Sequence, residues 1–341
     1  APAEIRVDRW GIPHIYAASR RDAFFLQGYN AARDRLWQID LWRKRGLGLL
    51  ARDFGPDYAE QDRAARLFLY RGDMDQEWKA YGGDARSTAE AFVAGVNAYV
   101  DEVRAGRRPL PMEFRLTHTQ PDRWKAEDVV RVRSHGLTRN ASMEVARARI
   151  ACSAGLPAAD LLKKLEPDWT TRVPDGLDPC SIPSNVLADY DLATRGVAFR
   201  AADGGRLAAL EVPQDAIGSN NWIVAPSHSA TGRAILANDP HREHGAPSLR
   251  YIVHMEAPGL SVIGAGEPAL PGVSIGHNQK IAFGLTIFYA DQEDLYVYET
   301  DPRDPDLYRY GDGWERMKVV HETVEVRGRP AREVTLRFTR H

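Results

Sequence analysis

The sequence predicts an α+β protein with a helical first half and a sheet-rich second half. Three observations carry this reading. Apolar residues recur at helical spacing in several stretches between positions 20 and 154. From Trp222 onward, short apolar runs alternate with Gly and Pro, the pattern of successive strands. The change of texture falls directly after a polar, loop-like segment that ends at Gly218. Helices first and strands later is the order expected of a layered α+β protein.

In chain order, residues 4–16 read as one or two short strands. Arg20 to Arg52 reads as a long helix, with Phe24, Phe25, Leu26, Tyr29, Ala32, Leu36, Trp37, Ile39 and Trp42 as its apolar stripe. That stripe is more simply a core face than a binding surface. Gly28 interrupts it mildly, and Gly46, Gly48 and Gly55-Pro56 punctuate its end. Ser87-Thr88-Ala89-Glu90 fits a capping box opening a helix that carries Phe92, Val93, Val96, Tyr99 and Val100. Residues 106–111 read as a loop, 124–135 as a second periodic stretch and 142–154 as a helix. Residues 167–183 and 201–218 read as loops. Strands are expected at 222–225, 234–237, 251–257, 260–265, 280–286, 295–300, 317–326 and 332–339. Asp301, Asp304 and Asp306 read as an exposed acidic turn.

Composition narrows the function. The 341 residues suit two or three domains, and 43% hydrophobic residues with eight Trp describe a well-packed globular protein. A net charge of −2 gives no electrostatic case for nucleic acid or an anionic membrane. No apolar run reaches the roughly 18 residues of a membrane span. Cys152 and Cys180 either pair across a loop or stay as two buried thiols; with no compartment known, buried thiols are the expectation. They do not form a zinc pattern. No signal peptide is visible, and Ala1-Pro2-Ala3-Glu4 fits either a mature end or a simple chain boundary.

The chemistry centres on Gly218-Ser219-Asn220-Asn221-Trp222. Gly218 tolerates backbone angles other residues resist, which suits a sharply bent peptide bond beside a nucleophile. A serine hydroxyl needs a base, and no G-x-S-x-G elbow is present. If the Gly218–Ser219 bond is cut, the new α-amino group, titrating near ~8, becomes that base. The plainer reading is a turn before a strand, since Gly, Ser and Asn are the common turn residues.

Gly218–Trp222 followed by Ala237-Asn238-Asp239-Pro240-His241 resembles the maturation site of the penicillin acylase family, a family of N-terminal nucleophile hydrolases. Ile5-Arg6-Val7-Asp8-Arg9-Trp10-Gly11-Ile12-Pro13-His14-Ile15 resembles its amino-terminal start, and 31–38 (Ala-Ala-Arg-Asp-Arg-Leu-Trp-Gln) its first long helix. Gly276-His277-Asn278, 281–286 and 291–296 resemble its next core strands. The resemblance implies a four-layer αββα sandwich, present here in part. It implies an α-chain over 1–202, a spacer over 203–218 and the start of a β-chain over 219–341. Resembling proteins continue well past this point, so the expectation is a piece of a longer precursor whose product is an αβ heterodimer with the rest of its own β-chain.

The resemblance also implies roles. Ser219 is the nucleophile of an acylase that cleaves N-acyl side chains through an acyl-enzyme, and its hydroxyl first cuts the Gly218–Ser219 bond. The backbone N–H of Ile287 is one oxyanion donor; the second is an Asn beyond residue 341. His241 supports the nucleophile, with a plain structural histidine as the other reading. One calcium ion is expected on Asp291 and Asp294, the Glu293 carbonyl and Glu144, against a solvated acidic turn; His241, Glu243 and His244 make only a weak metal pattern. Arg242, Ser274, Ile275 and Leu285 fall at acyl-pocket positions. Arg242 stands where phenylacetyl-selective members carry an aromatic residue, so it either meets a carboxylate-bearing acyl group or points to solvent. The substrate is a small or medium N-acyl amide: a β-lactam side-chain amide, an acyl-homoserine lactone or another linear amide. Within the family the alternative is an acyl-homoserine lactone or cephalosporin acylase; outside it, a non-catalytic descendant of the scaffold. Family habit favours the periplasm or secretion, with a cytoplasmic location as the alternative.

Overall fold

The computed structural model describes residues 2–132, 140–162, 170–199, 218–242, 245–287 and 292–340. The chain begins with strands β1 (Ala3–Val7) and β2 (Pro13–Ala17). Among the described residues ten α-helices follow: α1 (Arg20–Leu47), α2 (Leu50–Phe54), α3 (Ala59–Leu67), α4 (Met74–Ala80), α5 (Ala85–Arg104), α6 (Met112–Thr117), α7 (Asp128–Arg131), α8 (Asn140–Ala154), α9 (Leu156–Ala159) and α10 (Ala188–Thr194). Then come β3 (Gly218–Val224), β4 (Ile235–His241), β5 (Tyr251–Ala257), β6 (Leu260–Gly266), β7 (Ile275–Asn278) and β8 (Ala282–Phe283). The last strands are β9 (Thr300–Asp301), β10 (Asp304–Tyr310), β11 (Gly313–Arg316), β12 (Lys318–Val324) and β13 (Arg332–Phe338). After the two opening strands, helices precede strands, as the α+β reading expects.

The chain forms two compact units, each drawn from both sides of Ser219: residues 1–44, 71–132 and 197–287, and residues 45–70, 133–196 and 288–341. In the first unit, six strands run in the order β1-β2-β5-β6-β7-β8. Only β2 and β5 pair in parallel. Strand β5 alternates, with Tyr251, Val253, Met255 and Ala257 buried and the residues between them more open. This period of two gives the sheet one apolar face. Ala23 and Phe24 of α1 and Ala91 of α5 pack on it with Ile15. One helical layer on one sheet is thus in place.

Gly28 is no mild defect but the point where α1 crosses α5. A Cβ there would overlap the Phe92 carbonyl oxygen, and one at Gly95 would overlap that of Phe25. Each glycine admits the other helix's backbone, and Phe92, Val96, Val100 and Phe114 close the core beside the crossing with Leu36 and Ile39. Helix α1 is also interrupted at Arg35 (φ −138°, ψ 24°). There Arg35 Nη1 and Gln38 Nε2 both donate to the Ser248 carbonyl, at 2.9 and 3.0 Å. Lys44 and Asp40, both fully buried, form an ion pair at 2.6 Å on its last turns.

In the second unit α3 packs on β12 and β13 through Ala59, Val324, Val334 and Leu336, with Ala51 of α2. Strands β9 to β11 form a separate small sheet.

Several local expectations give way. Helix α5 starts at Ala85, so Ser87 lies inside its first turn and donates to the Asp84 carbonyl rather than capping. Asp304 and Asp306 belong to β10, where they pair with Arg316 and Arg337. The strand expected at 295–300 is present only as Thr300–Asp301, and that at 280–286 only as Ala282–Phe283. Strands β10 and β11 were not anticipated, because their polar runs lack an apolar alternation, whereas β7 matches the strand that the resemblance at Gly276-His277-Asn278 implies. Cys152 and Cys180 are bonded to each other, with Cα atoms 5.0 Å apart. Both lie exposed, which is why they are not the buried thiols expected. Closing a loop of 28 residues is worth roughly 3–4 kcal/mol in the chain-entropy picture.

Candidate active site

The antiparallel ladder of β3 and β4 joins the two halves of the central motif. Gly218 pairs with His241, Ser219 with Pro240, Asn220 with Asp239 and Asn221 with Asn238. Residues some twenty positions apart in sequence therefore face each other across one hairpin. Gly218 is an extended strand residue here, not a sharp bend. Its constraint is crowding, since a Cβ would lie 3.3 Å from His241 Nδ1.

Ser219 Oγ donates to the Gly218 carbonyl oxygen at 2.5 Å. The same oxygen accepts from Arg242 Nη1 at 2.9 Å. That nitrogen also donates to the His241 carbonyl at 2.7 Å and lies 3.5 Å from Ser219 Oγ. Arg242 thus points at the peptide bond before Ser219 rather than to solvent. His241 Nε2 lies 3.1 Å from Asp239 Oδ2 and 3.4 Å from Asn220 Nδ2.

Asn238 carries a role that the motif alone did not reveal. Its Nδ2 donates to the carbonyls of Asn220 and Leu285, at 3.2 and 3.0 Å, and its Oδ1 accepts from Leu285 N at 3.2 Å. One side-chain amide replaces a strand partner for Leu285, which is why β8 ends early. This clamp holds the run leading to Ile287, which is partly exposed. Ser274 N and Oγ bond the Ala265 carbonyl at 3.0 and 3.3 Å, and Ile275 pairs with Ala265. Ser274 and Ile275, the two expected pocket positions, are therefore fixed by β6. Gln27 steadies the turn before them: buried on α1, it donates to Tyr251 Oη and the Gly272 carbonyl and accepts from Gly272 N. A single Gln in a helical stripe carries no sequence signal for this. Arg250 was missed likewise. Burial first, then the neighbouring charge of Arg242, lowers its pKa from the ordinary arginine value.

The expected calcium ligands that are described lie in the second unit. Asn140 Nδ2 donates to the Glu293 carbonyl at 2.8 Å, and Asn140 Oδ1 accepts from Gln292 N at 3.2 Å. The Glu293 carboxylate accepts from Ala141 N at 3.0 Å and from Tyr190 Oη at 2.8 Å. The first turn of α8 and residues 292–293 are therefore bound together, with Glu144 one turn further along the helix. Glu144 pairs with Arg147. The donor set is all hard oxygen, which suits calcium in kind. Among the described residues no group of three or more acidic, His or Cys side chains is gathered for a metal. Asp291, Glu243 and His244 lie outside the described residues, as does the spacer at 203–217.

The α+β scaffold thus holds the Ser219 hydroxyl against its own preceding carbonyl. Comparison with known proteins gives the family. The penicillin amidase family model matches residues 2–341, and the chain belongs to that family. The chain is 34% identical over 345 residues to the penicillin acylase 2 proenzyme of Pseudomonas sp. (strain SE83), covering 100% of this chain and 43% of that protein. It is 32% identical over 343 residues to the acyl-homoserine lactone acylase QuiP of Pseudomonas aeruginosa, covering 99% of this chain and 39% of that protein. A solved thermostable penicillin G acylase from Alcaligenes faecalis is 26% identical over 51% of this chain and 98% of its own, with a TM-score of 0.40. The chain spans about two-fifths of the length of these curated relatives.

Proposed function

We propose that this chain is part of an acylase that hydrolyses linear N-acyl amides through Ser219, exposed by cleavage of the Gly218–Ser219 bond. The observation that supports this most is the Ser219 hydroxyl lying 2.5 Å from the carbonyl oxygen of the bond to be cut, in a chain that matches the family model over residues 2–341. The freed α-amine takes the hydroxyl proton, through a water, and returns it to the leaving amine. Water then releases the acyl group. The N–H of Ile287, placed by the Asn238 clamp, supplies one oxyanion donor; the rest of the β-chain supplies the other and completes an αβ heterodimer. His241, with Asp239 and Asn220, holds the strand ends in place rather than acting as base.

The substrate class follows the relatives: a β-lactam side-chain amide or an acyl-homoserine lactone. Leu285, Ser274 and Ile275 line the acyl pocket, and Arg242 becomes available to a polar or carboxylate-bearing acyl chain once Gly218 has left. We propose calcium on Asp291, Asp294, the Glu293 carbonyl and Glu144, where it would tie α8 to residues 291–294. The Cys152–Cys180 bond favours an oxidising compartment, the periplasm or outside the cell. No described helix is long and apolar enough to cross a membrane.

The test is amine release by the full-length protein from phenylacetyl, glutaryl and acyl-homoserine lactone amides. Ser219→Ala is expected to reduce release to background. Undiminished release by that variant would contradict the assignment.

A further inference from the structure

We propose that Arg242 is a catalytic residue of the maturation step: it polarises the Gly218 carbonyl and stabilises the oxyanion formed when Ser219 attacks it. The proposal rests on the Ser219 reading above and extends it, since it names the donor for the intramolecular reaction.

The geometry is local and specific. Gly218 O receives two donors, Ser219 Oγ at 2.5 Å and Arg242 Nη1 at 2.9 Å. The second hydrogen on Nη1 is anchored by the His241 carbonyl at 2.7 Å. Pairing of Gly218 with His241 sets this reach, because Arg242 directly follows the end of the facing strand. A hydrogen bond from a charged donor is shorter and stronger than a neutral one. It also strengthens as the carbonyl gains negative charge, which is what a transition-state donor requires. Arg250 adds to the field. Its Nε is buried with no hydrogen-bond partner, and the charge of Arg242 reaches it. Two like charges within electrostatic reach repel each other, and negative charge developing on Gly218 O offsets that repulsion.

The step balances with water as the sole co-reactant. Rotation about the Ser219 side-chain bond takes Oγ from the carbonyl oxygen to the carbonyl carbon. Oγ bonds to that carbon, the hydroxyl proton passes through a water to Ser219 N, and the carbonyl electron pair moves onto oxygen beside Arg242. Collapse breaks the bond between Gly218 C and Ser219 N, leaving an ester on Ser219 Oγ and a free amine. Water hydrolyses the ester to the Gly218 carboxylate and the Ser219 hydroxyl.

The experiment follows cleavage of the full-length precursor by mass spectrometry over time, in wild type, Ser219→Ala, Arg242→Ala and Arg242→Lys. Wild type is expected to cut and Ser219→Ala not to. Arg242→Ala is expected to cut about 10²–10³-fold more slowly, Arg242→Lys less slowly, and millimolar guanidinium ion is expected to accelerate Arg242→Ala alone. Arg242→Ala cutting at the wild-type rate would overturn the role of Arg242 and leave the Ser219 reading standing. Slow cutting that neither lysine nor guanidinium restores would also overturn it, since misfolding produces that pattern. A wild-type precursor that never cuts would remove the Ser219 reading and this proposal together.

Discussion

Asn238 shows how much of the site depends on one amide. Its side chain supplies both a donor and an acceptor to Leu285 and a further donor to Asn220. Replacing it with Ala removes three hydrogen bonds, each worth about 0.5–1.5 kcal/mol, and frees the run that carries the Ile287 N–H. A displacement near 1 Å at reacting groups costs on the order of 10² in rate. Asn238→Ala is therefore expected to lower kcat of the mature protein by about 10–100-fold and to lower its urea unfolding midpoint as well. Unchanged kcat would separate the clamp from catalysis. At this scale the sequence was partly legible. Ser219 announced itself through its neighbours, and the motif placed Asn238 and His241 beside it. Hydrogen-bond partners were not legible, because Asn238, Arg242, Arg250 and Gln27 act through residues that only the ladder and the helix crossing bring near.

At the scale of elements, long apolar repeats were the readable part. The stripe of α1 and the alternation of β5 bury surface, and burial leaves a periodic trace. Polar strands such as β10 and β11 are held by ion pairs and a hairpin turn, and helix ends by backbone groups, so their bounds escaped the pattern. Asp62 of α3 is one such end device. Its carboxylate accepts from Leu50 N at 2.8 Å and Ala51 N at 2.6 Å, satisfying the open first turn of α2. Burial, the largest effect, raises its pKa from 3.8 to about 6, against the lowering by those two N–H groups. Between these values the folded chain keeps a proton that the unfolded chain has lost, so stability falls as pH rises through the window. The difference is worth roughly 3 kcal/mol. Urea unfolding at pH 4 and pH 6.5 is expected to show this loss in wild type and not in Asp62→Asn. The same loss in the variant would place its cause elsewhere.

At the scale of the molecule, the two compact units do not follow the order of the chain. Each takes residues from before and after Ser219. A cut at Gly218–Ser219 would therefore leave two chains that share both units, and cleavage need not unfold either. The α+β class was legible because helix and strand periods segregate along the sequence. The disulfide was not, since a pair of cysteines names no compartment. The central claim is that this chain cuts itself at Ser219. Intact-mass measurement with amino-terminal sequencing of the full-length product, beside Ser219→Ala, tests it most directly. The account predicts two chains in wild type, one beginning Ser219-Asn220-Asn221-Trp222, and a single uncut chain in the variant. One uncut chain in both would contradict it.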